Sequence, residues 1–366
     1  MTPGLSIYLD LLRVLAALQV ALYHLGWLER TGLGQHWWNT WGHEAVVIFF
    51  VLSGFVIRHA VEVKDRDLAA FVASRMSRLY SVAIPALALT LICDAIGYSL
   101  APDLYRGAGI GGSFGLYVSK LAISLLMLNE SWWSVGFFTN TPYWSICYEI
   151  WYYLLFAAYI FTAGRKRWVL LVALTLAAGP AILVMFPIWL MGVYAYTWRR
   201  GTSWPRWLVW AAFLQPVGVF TCHVVFDLPQ VGLALLGPSL VSHLHWSSFV
   251  LSDTLLGLSF AVHLVAAKQL HDRLLRVLRG VAGTVRAAAA RSFTLYLIHM
   301  PLMVVLTAVT ATWSPMPQPW LVALGTVAIP LLLAPLIENQ RHRLRPWLAR
   351  VWAQATPPPL DKVARA

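Results

Sequence analysis

Three side chains that could take part in acid–base chemistry lie in one apolar segment near the start of the sequence. Residues 6–28, SIYLDLLRVLAALQVALYHLGWL, include Asp10, Arg13 and His24. On an α-helix the eleven-residue step from Arg13 to His24 covers three turns plus about 20°, so both lie on one face, roughly 16 Å apart along the axis. Asp10 is one turn from Arg13 and can contact it. Charged groups in an apolar helix normally face the protein interior or a water-filled cavity, which predicts a functional polar track.

A carboxylate in a later apolar segment is the second candidate. Glu149 lies in TPYWSICYEIWYY, residues 141–153, with several tyrosines beside it. It is either a protonated glutamic acid hydrogen-bonded to a tyrosine or part of a functional site. An ionisable residue within a membrane span favours the second interpretation.

Two arginines one turn apart form the third candidate. Arg75 and Arg78 lie in RMSRLY, where another apolar segment begins. Guanidinium groups at this spacing could hold a phosphate through bidentate contacts. Basic residues also anchor the cytoplasmic ends of membrane helices. The pair is therefore predicted either to bind a phosphate or to fix the topology.

Further polar residues inside or at the ends of apolar segments are accessory candidates. They are Asp10, His43, Glu44, Ser53, Tyr296 and His299. Tyr296 and His299 are one turn apart and share a helix face, but a lone buried histidine is more often a hydrogen-bonded packing residue than a catalyst. Ser53 precedes Gly54, a pair that suits close helix contact or a bend.

The elements that must position these residues are membrane helices. The chain has 366 residues, of which 59% are hydrophobic and 11% charged, whereas soluble domains carry about 25% charged residues. The mean hydropathy is +0.67. Apolar runs of about 20 residues predict an all-α polytopic integral membrane helical bundle of about ten transmembrane helices. The predicted spans are 6–28, 43–60, 79–99, 143–162, 168–185, 187–198, 207–226, 248–267, 292–312 and 319–338.

The basic residues predict the orientation of these spans. With the amino terminus in the cytoplasm, 23 of the 27 lysines and arginines fall in inward-facing segments, as the positive-inside rule requires. Both termini are then cytoplasmic. The net charge of +12 follows from topology, so no nucleic-acid partner is expected. The three cysteines lack metal-site spacing, and no metal is predicted.

Two regions fall outside the regular spans. Residues 100–142 form a long outward segment, and its apolar run 121–128 is predicted to be re-entrant or interfacial, because a full crossing would move the basic residues at 165–167 outside. Residues 1–340 are expected to form one transmembrane domain. Residues 341–366 are expected to form a basic, proline-rich cytoplasmic tail, disordered from residue 356.

Five motifs occur in an order that resembles the membrane acyltransferase 3 family. They are Asp10-x-x-Arg13 with His24 after ten intervening residues, FFVLSGFVI at 49–57, RMSRLY at 75–80, WSICYEIWYY at 144–153 and SFTLYLIHMP at 292–301. Members add acyl groups, commonly acetyl, to hydroxyls of bacterial surface glycans, lipid-linked sugars and some secondary metabolites. Many carry an acidic residue where this chain has Val47, and His43 and Glu44 are the candidates to supply that polarity.

The resemblance implies roles for the candidate residues. Arg13 and His24 match the essential pair, Arg75 and Arg78 match the paired inner-edge arginines that would bind the donor, and Glu149 matches the family carboxylate. Our hypothesis is that His24 acts as general base or transient acyl carrier, that Arg13 binds the pantetheine or thioester region, and that Glu149 orients the His24 imidazole.

The function expected from this resemblance is a membrane O-acyltransferase of the bacterial cytoplasmic (inner) membrane. It would move an acyl group, expected to be acetyl, from cytoplasmic acyl-CoA to a hydroxyl of an extracytoplasmic or lipid-linked glycan. Acyl-CoA is the donor substrate, no bound cofactor is expected, and the other partners are the lipid bilayer and the acceptor. The alternatives are a transporter or flippase for a lipid-linked sugar or acyl donor, and a non-catalytic scaffold. The inverted repeats common in transporters are not visible in the sequence.

Overall fold

The computed structural model describes residues 1–27, 39–198, 204–311, 313 and 319–355. Apart from short 3-10 turns, every regular element within these ranges is an α-helix, which confirms the all-α prediction. In chain order the helices are α1 (Pro3–Trp27), α2 (Gly42–Val63), α3 (Leu68–Leu100), α4 (Phe114–Leu125), α5 (Trp144–Phe161), α6 (Gly164–Ala178), α7 (Pro180–Thr197), α8 (Arg206–Val225), α9 (Leu228–Leu244), α10 (Val250–Gln269), α11 (His271–Leu278), α12 (Ala282–Ala289), α13 (Ser292–Ala311), α14 (Pro319–Glu338) and α15 (Arg341–Ala355).

Eight helices within the described ranges are long and apolar enough to cross a membrane. They are α1, α2, α3, α7, α8, α10, α13 and α14, which continues into α15. The other two predicted spans coincide with α5, which carries a carboxylate and several tyrosines, and with the 15-residue α6. The chain is therefore a polytopic helical membrane protein, and each of the ten predicted spans corresponds to a helix.

Helix α13 is the central element of the bundle. Within its apolar window 83% of the residues are buried inside the protein, the highest share of any of the eight spans. It packs against α1, α3 and α14. The face that carries Tyr296 and His299 is therefore enclosed by other helices.

Helices α2 and α7 approach each other unusually closely, and glycine permits this contact. A Cβ on Gly54 would lie 2.0 Å from the Trp189 carbonyl oxygen, and one on Gly192 would lie 1.9 Å from the Val51 carbonyl oxygen. The interface therefore has room for a hydrogen atom but not for a methyl group on either side. The predicted close helix contact at Ser53-Gly54 is confirmed.

The predicted boundary between the fifth and sixth spans, at residues 185–187, is wrong. Helix α6 ends at Ala178 and α7 begins at Pro180. Gly179 between them has φ +82°, a conformation that glycine adopts readily, and proline is favoured in the first turn of a helix. Pro187 lies inside α7 instead.

Helices α4 and α9 lie in two of the segments between predicted spans. Helix α4 has 12 residues, about 18 Å at 1.5 Å per residue, which is too short for a hydrocarbon core of about 30 Å. The run at 121–128 therefore does not cross the membrane as a single helix. Helix α9 is interrupted at Gly237, where φ is +76° and a proline follows.

One end of the bundle collects the short basic helices, and we call it the basic end. It comprises the amino terminus, the turn between α2 and α3, the helices α11 and α12, and α15. Asp67 caps α3 by accepting a hydrogen bond from the Ala70 amide at 2.8 Å, and α15 packs against α3. The predicted disordered segment, residues 356–366, lies outside the described residues.

Candidate active site

A cavity lies among α1, α2, α3, α5 and α13. It is partly open to solvent, and about 860 Å³ of space free of protein atoms lies within it and its solvent-filled mouth. Its polar lining residues are Arg13, Ser53, Arg75, Arg78, Ser145, Glu149, Tyr153, Ser292 and Tyr296. The rest of the wall is apolar and includes Val46, Phe49, Phe50, Leu52, Val56, Ile57, Leu79, Ile146 and Phe293. Six predicted site residues from five separate parts of the chain therefore line one cavity.

The predicted contact between Asp10 and Arg13 is confirmed. The Arg13 guanidinium lies 3.3 Å from an Asp10 carboxylate oxygen, and the two side chains are 19% and 22% exposed. Arg78 and Glu149 also lie within electrostatic range of Arg13. Asp10 itself is not a cavity-lining residue, so its position supports a role through Arg13.

The two arginines of α3 differ in their surroundings. Arg75 donates hydrogen bonds to Asp65 and to the Ser74 hydroxyl, each at 2.8 Å. Asp65 is 1% exposed and also lies 3.5 Å from Arg345 of α15. Among the described residues, the Arg78 guanidinium has neither a hydrogen-bond partner nor an ion-pair partner, although Arg78 lines the cavity. Arg78 is therefore the guanidinium most available to an anionic ligand.

Glu149 is held by hydroxyl groups within the cavity wall. Ser53 Oγ donates a hydrogen bond to Glu149 Oε1 at 2.6 Å, and the Tyr153 hydroxyl donates to the same oxygen. Trp189 Nε1 in turn donates to Ser53 Oγ at 3.2 Å. The hydrogen bond to a neighbouring tyrosine, which one interpretation of Glu149 predicted, is present, and Glu149 also lines the cavity.

The predicted contact between Glu149 and His24 is wrong. Helix α5 presents Glu149 to Ser53 of α2, whereas α1 presents His24 to α13. His24 Nδ1 lies 3.1 Å from His299 Nε2, and their ring centroids are 5.0 Å apart. His24 is 6% exposed and His299 is fully buried. The carboxylate and the imidazole therefore belong to two different clusters.

Tyr296 lies between the cavity and the His24–His299 pair. Its hydroxyl lies 2.5 Å from Ser145 Oγ on the cavity wall. Its carbonyl oxygen accepts a hydrogen bond from His299 Nδ1 at 2.8 Å, and its ring lies 6.3 Å from the His299 ring. Tyr296 thus separates the cavity from the His24–His299 pair by the width of one side chain.

His43 and Glu44 have partners that the sequence analysis did not identify. His43 Nε2 lies 2.9 Å from Asp253 Oδ2, and His223 Nε2 lies 3.1 Å from Glu44 Oε1. Asp253 and His223 are buried in α10 and α8. Both are ionisable residues inside apolar segments, the signal that identified Glu149, and the same rule could have found them. The His43 ring also stacks on Trp144.

The comparison with known proteins identifies the family of the chain. A family model described as an acyltransferase domain matches residues 6–336, nearly the whole chain. No curated protein and no solved structure matches the chain. The matched region contains every residue that lines the cavity as well as His24 and His299. The chain therefore belongs to the acyltransferase 3 family and is a multi-pass membrane acyltransferase.

Proposed function

We propose that this protein transfers an acetyl group from cytoplasmic acetyl-CoA to a hydroxyl of an extracytoplasmic or lipid-linked glycan in a bacterial inner membrane. The observation that carries the proposal is the cavity, whose lining includes three arginines and one carboxylate residue. Cations inside an apolar bundle are expensive unless an anion accompanies them. Arg13 and Arg75 have protein carboxylates as partners, so Arg78 remains to bind a phosphate group of the donor.

The apolar part of the wall supports a thioester donor. Phe49, Phe50 and Val46 follow one another along α2 beside the arginines, and they offer a surface for the pantetheine chain and a short acyl group. The distance from Arg13 to His24 along α1 is roughly 16 Å at 1.5 Å per residue. An extended pantetheine has a comparable length. Phosphate binding at Arg78 would then bring the thioester towards Tyr296 and the histidines.

The reaction needs a base for the acceptor hydroxyl and support for the developing oxyanion. In our proposal His24 Nε2 takes the hydroxyl proton while the hydroxyl oxygen bonds to the thioester carbonyl carbon. The carbon–sulfur bond then breaks, and the proton passes from His24 to the CoA thiolate. Arg13 holds the donor, and Glu149 balances the charge of Arg13 and Arg78.

The experiment that tests the donor and the acceptor uses radiolabelled acetyl-CoA. Label is supplied to inverted membrane vesicles and to intact spheroplasts, and ester-linked label is measured in glycan and lipid fractions. We expect base-labile label in the vesicles, where the cytoplasmic face is accessible, and none with His24→Ala protein at equal membrane abundance. Full activity of His24→Ala would overturn the role of His24. Absence of CoA-dependent ester in every fraction would overturn the donor and favour movement of a lipid-linked sugar or acyl donor.

A further inference from the structure

The His24–His299 pair has hydrogen-bond partners that determine which nitrogen carries each proton. His299 Nδ1 lies 2.8 Å from the Tyr296 carbonyl oxygen and 3.1 Å from the Leu295 carbonyl oxygen. A carbonyl oxygen can only accept a hydrogen bond, so His299 Nδ1 must be the protonated nitrogen. The neutral ring then has its lone pair at Nε2.

The lone pair on His299 Nε2 in turn helps to determine which nitrogen of His24 carries the proton. His299 Nε2 lies 3.1 Å from His24 Nδ1, and the Val20 carbonyl oxygen lies 2.9 Å from the same His24 nitrogen. Two acceptors that face one nitrogen require that nitrogen to carry the hydrogen. In the neutral pair His24 is therefore protonated at Nδ1 and has its lone pair at Nε2, the form that a general base needs.

We propose that His299 is a positioning residue that holds His24 in this tautomer and stabilises its protonated form during acyl transfer. The inference rests on the proposed role of His24 as base. When Nε2 takes the hydroxyl proton, the imidazolium still donates from Nδ1 to His299, and a charge-assisted hydrogen bond is stronger than a neutral one. His299 performs the task that a carboxylate performs in a Ser-His-Asp triad.

A neutral partner suits this location better than a carboxylate. His299 is fully buried between apolar helices, where an ionised side chain carries a large desolvation penalty. An imidazole accepts the His24 hydrogen without a formal charge, and its own N–H is satisfied by the backbone of α13. The cavity keeps its carboxylate, Glu149, beside the arginines, where a counter-charge is present.

The test compares two substitutions that differ in hydrogen bonding but not greatly in volume. The Gln side chain of His299→Gln can place an oxygen near the position of Nε2 and accept from His24, whereas His299→Leu cannot. Thr307→Val is the structural control, because Thr307 is buried on α13 and its hydroxyl donates to the Met303 carbonyl oxygen. All three variants are compared at equal abundance and with equal thermal stability.

We expect His299→Leu to lose acyl transfer by on the order of 10- to 100-fold, since general-base catalysis contributes about 10²–10⁴-fold. His299→Gln is expected to retain most of the activity, and Thr307→Val all of it. Equal activity in His299→Leu and His299→Gln, with His24→Ala inactive, would overturn the positioning role and leave the proposed function intact. An active His24→Ala protein would overturn both.

A spectroscopic measurement tests the contact without the reaction. Protein labelled with ¹⁵N-histidine in lipid nanodiscs is examined by solid-state NMR, and the His24 signals are assigned by their loss in His24→Gln. We expect a protonated Nδ1 and an unprotonated Nε2 in the wild type. In His299→Leu we expect a shift of the His24 Nδ1 signal, because this nitrogen keeps the Val20 carbonyl oxygen but loses His299 as an acceptor. A protonated Nε2 in the neutral wild-type ring, or signals unchanged in His299→Leu, would overturn the inference.

Discussion

The Arg75 guanidinium donates to Asp65 at 2.8 Å, and this ion pair commits Arg75 to the turn between α2 and α3. Asp65 is 2% and Arg75 10% exposed in their side chains. Arg78, one turn later on the same helix, instead faces the cavity. Two arginines that look equivalent in the sequence therefore have different environments, and we expect different consequences when each is replaced.

We expect Arg78→Ala to weaken binding of acetyl-CoA by about 10- to 100-fold. The loss follows from one or two charged hydrogen bonds at about 1.5–3 kcal/mol each, with about 1.4 kcal/mol per tenfold change. Binding of CoA to purified protein in nanodiscs is the measurement. Arg66→Ala is the matched control, because Arg66 is an exposed cation in the turn between α2 and α3. Equal affinity for CoA in Arg78→Ala and wild type would mean that Arg78 does not bind the donor and serves only to anchor the membrane topology.

Arg75→Ala should act mainly on stability. Removal of one partner of a buried ion pair costs about 3–5 kcal/mol, because the other charge is left buried. Asp65 retains only the longer contact to Arg345, whose side chain is 52% exposed. We expect a lower unfolding temperature for Arg75→Ala and partial recovery in the double variant with Asp65→Asn. A stable Arg75→Ala protein that has lost CoA binding would contradict this assignment.

Glu149→Gln should reduce acyl transfer while the protein remains folded. Glutamine can still accept the hydrogen bonds from Ser53 and Tyr153, but it lacks the charge that offsets Arg13. We expect at least a tenfold loss of transfer, from about 1.4 kcal/mol of lost electrostatic balance. The control is Ser53→Ala, which removes a hydrogen bond and keeps the charge. If Ser53→Ala loses as much activity as Glu149→Gln, geometry and not charge is the function of this cluster.

Local spacing predicted the contacts within one helix but not those between helices. Asp10 and Arg13 are one turn apart, and their predicted ion pair is present. His24 and His299 are 275 residues apart in sequence, and periodicity cannot say which helix will cover the His24 face. Glu149 was assigned to His24 because both are polar groups in apolar runs, whereas the packing of α5 against the α2–α7 pair directs it to Ser53.

The membrane spans were predictable because their signal is long and simple. An apolar run of about 20 residues marks a helix regardless of its neighbours. The division between α6 and α7 was misplaced because two consecutive apolar helices meet at Gly179 without a polar linker. The partnership of Arg75 with Asp65 was missed because it depends on the fold of a turn rather than on apolar periodicity.

The close contact between α2 and α7 should make the protein sensitive to any side chain added at Gly54. In Gly54→Ala the added methyl group would lie 2.0 Å from a backbone oxygen of Trp189, and a backbone cannot move aside as a flexible side chain can. We expect a loss at or above the usual 1–3 kcal/mol for overpacking, seen as a lower unfolding temperature. Gly218→Ala is the control, because its Cβ meets nothing within 4 Å, and alanine should favour its helix by up to about 1 kcal/mol. Similar unfolding temperatures for both variants would contradict this account of the interface.

We expect the buried carboxyl of Glu130, in the segment between α4 and α5, to make the stability of the protein depend on pH. Burial raises the pKa of this carboxyl from its ordinary value of 4.5 to about 8, and its Oε2 has no hydrogen-bond partner among the described residues. The folded state thus holds the proton more tightly than the unfolded state does, so stability should fall as the pH rises from about 4.5 to about 8 and then level off. We expect Glu130→Gln to flatten this part of the profile of unfolding temperature against pH. Asp103→Asn, at an exposed carboxyl between α3 and α4, should leave the profile unchanged. An unaltered slope in Glu130→Gln would assign the pH dependence to other groups.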